Sequence, residues 1–385
     1  MSVAKVKVLV VGPTPPPFHG VATFTRDLLR ATHPHIDLIP LDTSDRRDAS
    51  NIGRWDSSNL ELGFASLAEL AQQIPRAGID IVYIPISQNV PAFIRDALYI
   101  LQSRLMGARV VVHLHGGYFR TLYDRDAGGI FRLIARLSLS SVSAAIVLGE
   151  EFRPIFNGLI PDERIHVVEN GVPDPGAWLL HPDASSPAAN GGTLLYISTL
   201  TRAKGILELI QTAAILRRTR PQIQLRVAGL WQEESLRREV LALIERESLQ
   251  SSVHFVGNVT GQSKAEFLAS GHIFCLLTRY PYEGQPLVIL EAMAAGLPIL
   301  TTAHATIAST VPDGLAGRTL PIETTPERWA QVLNEMLADT EKLAEFRQAA
   351  RARYLARYTS EVCHARLFDV LLQANGEGAS STVRE

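Results

Sequence analysis

Short apolar runs rich in valine and isoleucine recur along the chain, each followed by a stretch of helical period. A strand that is apolar on both faces needs cover on both sides, so this alternation predicts βαβ units around parallel sheets. The first series places strands at Val6–Val11, Ile79–Pro85, Ala108–Leu114, Ala144–Leu148 and Ile165–Val168, with helices at Val21–Arg30 and Pro91–Met106. A second series places strands at Thr193–Ser198, Gln224–Ala228, Val253–Val256, Ile273–Leu277 and Pro298–Thr301. Its helices are expected at Ile206–Arg218, Glu233–Glu247, Ser263–Ala269 and Pro286–Ala295. Between the two series, Pro173–Gly192 has no apolar period and is rich in Pro, Asp, Ser, Ala, Asn and Gly, the composition of a solvated linker. After Pro326 the pattern is helical to about Tyr358 and again over Glu361–Gln373, and Asn375–Glu385 is small and polar, which predicts disorder. The fold class is therefore α/β, with two doubly wound parallel-sheet domains at 1–175 and 193–358 expected to face a cleft. A linker at 176–192 joins them, and a helix at 359–374 and a disordered tail at 375–385 follow.

Of 385 residues 46% are hydrophobic, enough for two cores, and 37 Lys and Arg against 39 Asp and Glu leave a net charge of −2. So balanced a chain is not a dedicated nucleic-acid binder, and no nucleic-acid partner is expected. Two cysteines, Cys275 and Cys363, make neither a disulfide framework nor a four-thiolate zinc site and fit a reducing, cytoplasmic compartment. The apolar run after Lys5 and Lys7 is too short for a signal peptide and stops at Gly12-Pro13. Nowhere do about 18 apolar residues follow one another, so no bilayer-spanning helix is expected. The G-x-G-x-x-G fingerprint after the first strand, the P-loop and the G-x-S-x-G elbow are absent, which sets aside the usual dehydrogenases, NTPases and hydrolases.

Open parallel sheets bind ligands beyond the carboxyl ends of their strands, so chemistry is sought in the loops that follow each strand. The sharpest is Tyr282–Pro298, YEGQPLVILEAMAAGLP. Pro286 suits a first helical position and Gly296 a left-handed stop, which puts Glu283 in the loop before the helix and Glu291 inside it. The free N–H groups near Gly284, Gln285, Leu287 and Val288, at the positive end of the helix dipole, favour an anion or a sugar hydroxyl. Glu291 has little polar face to sit on, with Leu290, Ala292, Met293 and Ala294 around it. The second loop, Ser198–Gly205, carries Arg202 and Lys204 beside a helix N-terminus. Two cations there repel the dipole unless an anion lies between them, and a diphosphate meets that need; a solvated pair of loop charges is the alternative. The third, His113-Leu114-His115-Gly116-Gly117, ends a strand, and its histidines are expected on opposite faces and so not to share a metal.

Glu283 and Glu291, eight positions apart and followed by AMAAGLP, resemble the paired-glutamate signature of the retaining nucleotide-sugar glycosyltransferases of family GT4. The resemblance runs from Val6 to about Tyr358 and implies the GT-B fold of two Rossmann-like domains. By that resemblance the first domain is the acceptor side, the second binds the nucleotide sugar, and the 359–374 helix returns to the first. Glu291 would hold ribose hydroxyls, Glu283 would contact the donor sugar as a catalytic residue, and the amides of Gly284, Gln285, Leu287 and Val288 would grip sugar and phosphate. Lys204-Gly205 matches the family's phosphate-binding pair; the family's arginine falls at Thr199, which makes Arg202 the candidate substitute. His115 resembles the catalytic-site histidine beside the donor sugar, and Gly20 the glycine where backbone nears phosphate or acceptor. Val256-Gly257-Asn258-Val259 resembles the loop whose backbone meets the nucleobase, which makes Val259 a donor-binding candidate, and Glu169-Asn170-Gly171-Val172 resembles the family's Asn-Gly-Val at the end of the first domain. Ala305–Ser309 departs from the family's Gly-Gly and glutamate, where donor specificity is expected to change.

The resemblance implies metal-independent, retaining transfer of a sugar from a nucleoside-diphosphate sugar, a substrate and not a cofactor, to a saccharide or lipid-linked acceptor. The setting would be polysaccharide or glycolipid biosynthesis, by a front-face route in which the departing phosphate takes the acceptor proton. A nucleotide-sugar epimerase and a catalytically inactive nucleotide-sugar-binding partner protein, the latter prompted by Thr199 and Ser309, are the alternatives. Arg120, Arg125, Arg132 and Arg136 surround the apolar run Ile130–Leu139 at helical spacing. Two readings stand: contact with the inner face of a membrane where a lipid-linked acceptor waits, or an ordinary helix with an apolar core side and arginines outside.

Overall fold

The computed structural model describes residues 5–16, 19–46, 57–176 and 191–376; the expected linker and tail fall almost wholly outside the described residues. The chain divides into two compact units, Met1–Asn170 with Ser360–Glu385, and Gly171–Thr359.

In the first unit β1 (Val6–Gly12), β2 (Ile36–Asp42), β3 (Ile81–Ile86), β4 (Arg109–Leu114), β5 (Ala144–Val147) and β6 (Ile165–Val167) form a parallel sheet in the order β2-β1-β3-β4-β5-β6. Every residue of β3 is buried, as a central strand covered on both faces requires. The edge strand β2 was not expected: only Ile36 and Leu41 of its seven residues are buried, and it carries Pro40, whose missing N–H an edge tolerates. The helices are α1 (Gly20–Leu29), the unexpected α2 (Ser57–Ala77), α3 (Val90–Leu105), the single turn α4 (Phe119–Thr121) and α5 (Gly129–Ser140). Local chemistry starts them: His19 Nδ1 accepts from the Ala22 amide at 3.4 Å, and Asn89 Oδ1 from the Ala92 amide at 3.0 Å. Right-handed crossovers running opposite ways along a sheet put their helices on opposite faces. The β1-to-β2 crossover places α1 on one face, and the next three crossovers, all running the other way, place α2, α3 and α5 side by side on the other. Phe93 of α3 meets Phe131 of α5 with ring centroids 5.3 Å apart.

In the second unit β7 (Thr193–Ile197), β8 (Gln224–Ala228), β9 (Val253–Gly257), β10 (Ile273–Leu276), β11 (Ile299–Thr302) and β12 (Gly317–Leu320) are ordered β12-β11-β10-β7-β8-β9, all parallel. Four-residue β12, also unexpected, holds Gly317 and Arg318 and so lacks an apolar run. The helices are α6 (Ile206–Leu216), α7 (Glu234–Arg246), α8 (Gly261–Ala269), α9 (Leu287–Ala294), α10 (Ile307–Thr310), α11 (Pro326–Ala338) and α12 (Thr340–Arg357). Tyr196, Phe274 and Trp329 are fully buried in this unit's core. β7 and β10 are neighbours although the chain visits β8 and β9 between them. The winding reverses there, so the loops after β7 and β10 part at a topological switch point, where such sheets bind ligands.

The last helix, α13 (Ser360–Asn375), belongs to the first unit. Its Leu367, Phe368 and Leu371 join Phe24 and Leu28 of α1 and Val8, Tyr83 and Val111 of the sheet in one buried cluster. Leu367 has no exposed surface. Leu367→Ala is expected to cost about 2–5 kcal/mol of first-unit stability, read as an earlier transition in urea denaturation.

Candidate active site

The loop after β7 makes a 3₁₀ turn over Arg202–Lys204 and enters α6 through Gly205, at φ +79°. A Cβ on residue 205 would lie 2.2 Å from the Leu277 carbonyl oxygen, so this loop closes on the end of β10 only with glycine there. That approach brings Lys204 Nζ to 2.7 Å from Glu283 Oε2, and the Thr278 hydroxyl donates to the same oxygen at 2.8 Å. The two charged side chains are 18% and 8% exposed, so the pair is largely withdrawn from water. Nζ also stands 4.5 Å from the centroid of the Tyr280 ring, and the Tyr196 hydroxyl donates to the Lys204 carbonyl at 3.1 Å. An ammonium and a carboxylate are thus held across the switch point by neighbours on both loops.

Beyond Glu283 the loop is braced from α10. Thr306 Oγ1 donates to the Gly284 carbonyl at 3.1 Å, and Gln285 Nε2 donates to Thr310 Oγ1 at 2.9 Å. Ala305 takes φ +52° at the start of this brace. The segment 305–309, expected to bear on donor specificity, is thus a support for the Glu283 loop. α9 starts at Leu287, one residue later than expected, and Pro286 is its cap at ψ 117° rather than its first residue. Proline brings no N–H, so the first-turn amides without an intrahelical acceptor include those of Leu287 and Val288. The helix stops before Gly296, which takes φ +69° as a left-handed stop should. On α9, Glu291 Oε1 lies 2.6 Å from Lys264 Nζ of α8, and its Oε2 is buried with no partner among the described residues. That buried oxygen is an acceptor left unsatisfied, which folded proteins seldom tolerate.

Arg202 pairs with Glu239 of α7 and is more than half exposed, apart from the Lys204–Glu283 pair. Arg279, which no motif singled out, brings its amide to the Ala203 carbonyl at 2.8 Å and its guanidinium to Glu208 at 2.8 Å. Val259, after β9, is half-buried against the core of the unit. Thr278, Thr306, Thr310 and Lys264 were equally missed: they are single polar residues whose partners lie 5 to 27 positions away.

In the first unit, Gly20 opens α1, and a Cβ there would meet nothing within 4 Å, so packing does not demand glycine. His113 and His115 do not point to opposite faces. Their rings stack at 3.9 Å, because residues two apart along an extended chain share a face. Phe24 packs edge-on to His115 at 4.8 Å, and the Tyr83 hydroxyl is 2.6 Å from His113 Nδ1. His115 keeps some surface, yet its Nε2 is sealed, and burial, aided by His19, lowers its pKa to about 3. Burial lowers His113 well below the ordinary range too. Both rings are therefore neutral at pH 7, suited to hydrogen bonding rather than to carrying charge.

Two consequences are measurable. An unfolded histidine takes up a proton near pH 6.5 while folded His115 does so only at about 3, so its contribution to stability is complete above pH 6.5 and is lost as the pH drops from there toward about 3. His115 alone contributes about 1.4 kcal/mol per pH unit in that window, and His115→Asn should flatten the slope by one proton in urea titrations at pH 7, 6 and 5. Gly205→Ala, combining the left-handed backbone with the clash on Leu277, should cost about 2–4 kcal/mol by the same method.

Comparison with known proteins defines the class. A family model described as a glycosyl transferase 4-like domain matches residues 3–171, and one described as glycosyl transferases group 1 matches residues 182–353. The chain is 27% identical over 304 residues to a GDP-mannose:cellobiosyl-diphosphopolyprenol alpha-mannosyltransferase of Xanthomonas campestris, covering 71% of this chain and 77% of that one. It is 24% identical over 277 residues to an alpha-D-kanosaminyltransferase of Streptomyces kanamyceticus, covering 67% and 69%. Among solved structures, a glycosyltransferase from Rickettsia africae superposes with a TM-score of 0.75 at 17% identity, over 96% of this chain and 98% of that one. HepE of Anabaena, in complex with UDP and glucose, superposes at 0.69 and 18% identity, over 95% and 99%. At such identities these structures speak for the fold alone, and that fold is GT-B. The chain belongs to glycosyltransferase family GT4. It is a retaining, metal-independent glycosyltransferase that moves a sugar from a nucleotide sugar to an acceptor.

Proposed function

We propose that a nucleoside-diphosphate sugar binds the second unit with its diphosphate at Lys204 and the amides of Gly284, Gln285, Leu287 and Val288. Its ribose lies at Glu291 and its sugar at Glu283; the family resemblance carries His115 over as a neutral contact to that sugar. The acceptor is a saccharide on a lipid diphosphate, presented at the cytoplasmic face of a membrane. The observation that carries the donor reading is the Lys204–Glu283–Thr278 cluster across the β7/β10 switch point, with the amides of α9 following it directly. The Xanthomonas relative supports the acceptor, since its name specifies a diphosphopolyprenol substrate.

Glu283 keeps the Lys204 ammonium in place, and sugar hydroxyls donating to Glu283 free the ammonium to turn to the diphosphate. Negative charge grows on the diphosphate as the glycosidic bond breaks, and preorganised donors aimed at that charge are the largest source of rate. A phosphate oxygen of the leaving group takes the acceptor's proton, so the same donors that draw off the diphosphate also set the basicity of the group receiving that proton.

A charge-assisted hydrogen bond is worth roughly 1.5–3 kcal/mol, so Lys204→Met should lower kcat/KM by about 10- to 150-fold with the fold intact by circular dichroism. A panel of UDP- and GDP-sugars at about 100 times Kd should include one that raises the melting temperature by about 5–10 °C. Glu291→Gln should shrink that shift. No shift with any nucleoside diphosphate would remove the donor reading.

A further inference from the structure

The first unit leaves one of its two helical layers greasy on the outside. Among the described residues, all eight exposed large hydrophobics of this unit fall on α2, on α3 with its capping residue, and on α5, and none on α1 or α13. The most exposed are Leu105 at 88%, Ile130 at 80% and Phe64 at 70%. On α5 the pattern is regular: Ile130, Leu133 and Leu137 follow the i, i+3, i+7 spacing of one helix face and are all more than half exposed. Phe131, Ala135, Ser138 and Leu139 of the same helix supply the buried side. α5 thus keeps a buried core side and exposes Ile130, Leu133 and Leu137 beside Arg132 and Arg136.

Charge accompanies the grease. α3 and α5 together hold Arg95, Arg104, Arg132 and Arg136 against a single acid, Asp96, which is buried and paired with Arg95 at 2.9 Å. In the turn before α5, Asp124 is taken by Arg120 at 2.8 Å and Asp126 accepts from the Tyr118 hydroxyl at 2.6 Å, while Arg125 is exposed. α2 brings exposed Glu61 and Glu69, so the positive field centres on α3 and α5. No helix among the described residues is long and apolar enough to cross a membrane. An apolar stripe flanked by arginines on a surface helix is the pattern of a segment lying in a bilayer interface, with leucines among the acyl chains and guanidinium groups at anionic headgroups. A second copy of the chain fits worse, because a two-fold contact through this layer sets arginines against arginines.

We propose that α5, with α3 beside it, docks the first unit on an anionic lipid bilayer. This deepens the reading of a lipid-borne acceptor and rests on it for its purpose, but stands on the surface of one unit alone. The test is co-sedimentation of the full chain, without donor, with vesicles of phosphatidylglycerol and phosphatidylethanolamine or of phosphatidylcholine. Partition into the anionic vesicles should be at least tenfold stronger than into the neutral ones. The triple variant Ile130→Ser, Leu133→Ser, Leu137→Ser should lower that partition at least tenfold, with unchanged melting temperature because the replaced side chains face solvent. Arg132→Gln with Arg136→Gln should lower it about fivefold per arginine. Failure of the wild type to bind anionic vesicles, or binding unchanged in both variants, overturns the proposal. So does a concentration-dependent dimer in analytical ultracentrifugation that the triple variant dissolves. The donor-induced thermal shift, measured on wild type and triple variant alike, separates the two readings: its persistence in a variant that no longer binds vesicles supports lipid docking as distinct from donor binding.

Discussion

The ion pair between Lys204 and Glu283 depends on a backbone approach that no side chain allows. Gly205 lets the loop after β7 touch the end of β10, and that contact sets the distance between an ammonium and a carboxylate from loops 79 residues apart in sequence. The pair is largely removed from water, so each charge relies on the other, on Thr278 and on the Tyr280 ring. A buried pair of this kind contributes little net stability, since desolvation offsets much of the attraction. Its merit is position: the sheet's reversal of winding puts both charges close to where α9 begins.

Much of this was legible in the sequence because it was written locally. Strands buried on both faces announce themselves as unbroken apolar runs, and the start and stop of α9 were marked within one residue by Pro286 and Gly296. The elements that escaped are those whose cause is not local. β2 and β12 pair with one neighbour each at opposite edges of their sheets and carry Pro40 or Gly317, so they lack the apolar signal that burial imposes. α2 contains Gly63 and Pro75, which interrupt a helical reading. Of the site, the motif residues could be found by spacing, but the braces could not: Thr306 and Thr310 act through hydrogen bonds whose partners are 22 and 25 positions away. Arg202 looked apt because of its charge beside a helix, and only the fold shows Glu239 reaching it.

The histidines teach a related lesson about geometry. An extended chain repeats its facing every second residue, so His113 and His115 meet, and the stacked rings sit against Phe24 with Tyr83 below. Two cations cannot share that space, and burial keeps both rings uncharged. Such a ring can donate through one nitrogen and accept through the other, as His113 Nδ1 meets the Tyr83 hydroxyl.

The last helix carries a consequence for how the chain is made. α13 supplies part of the buried cluster around Phe24 and Leu28, yet the ribosome delivers it only after the entire second unit has been synthesised. Domains commonly fold as they emerge, N-terminal part first. Here the early-emerging sheet must wait with one oily face only partly covered, by α1, so the nascent protein passes through a stage that invites chaperone binding, and a truncated product would be caught in it.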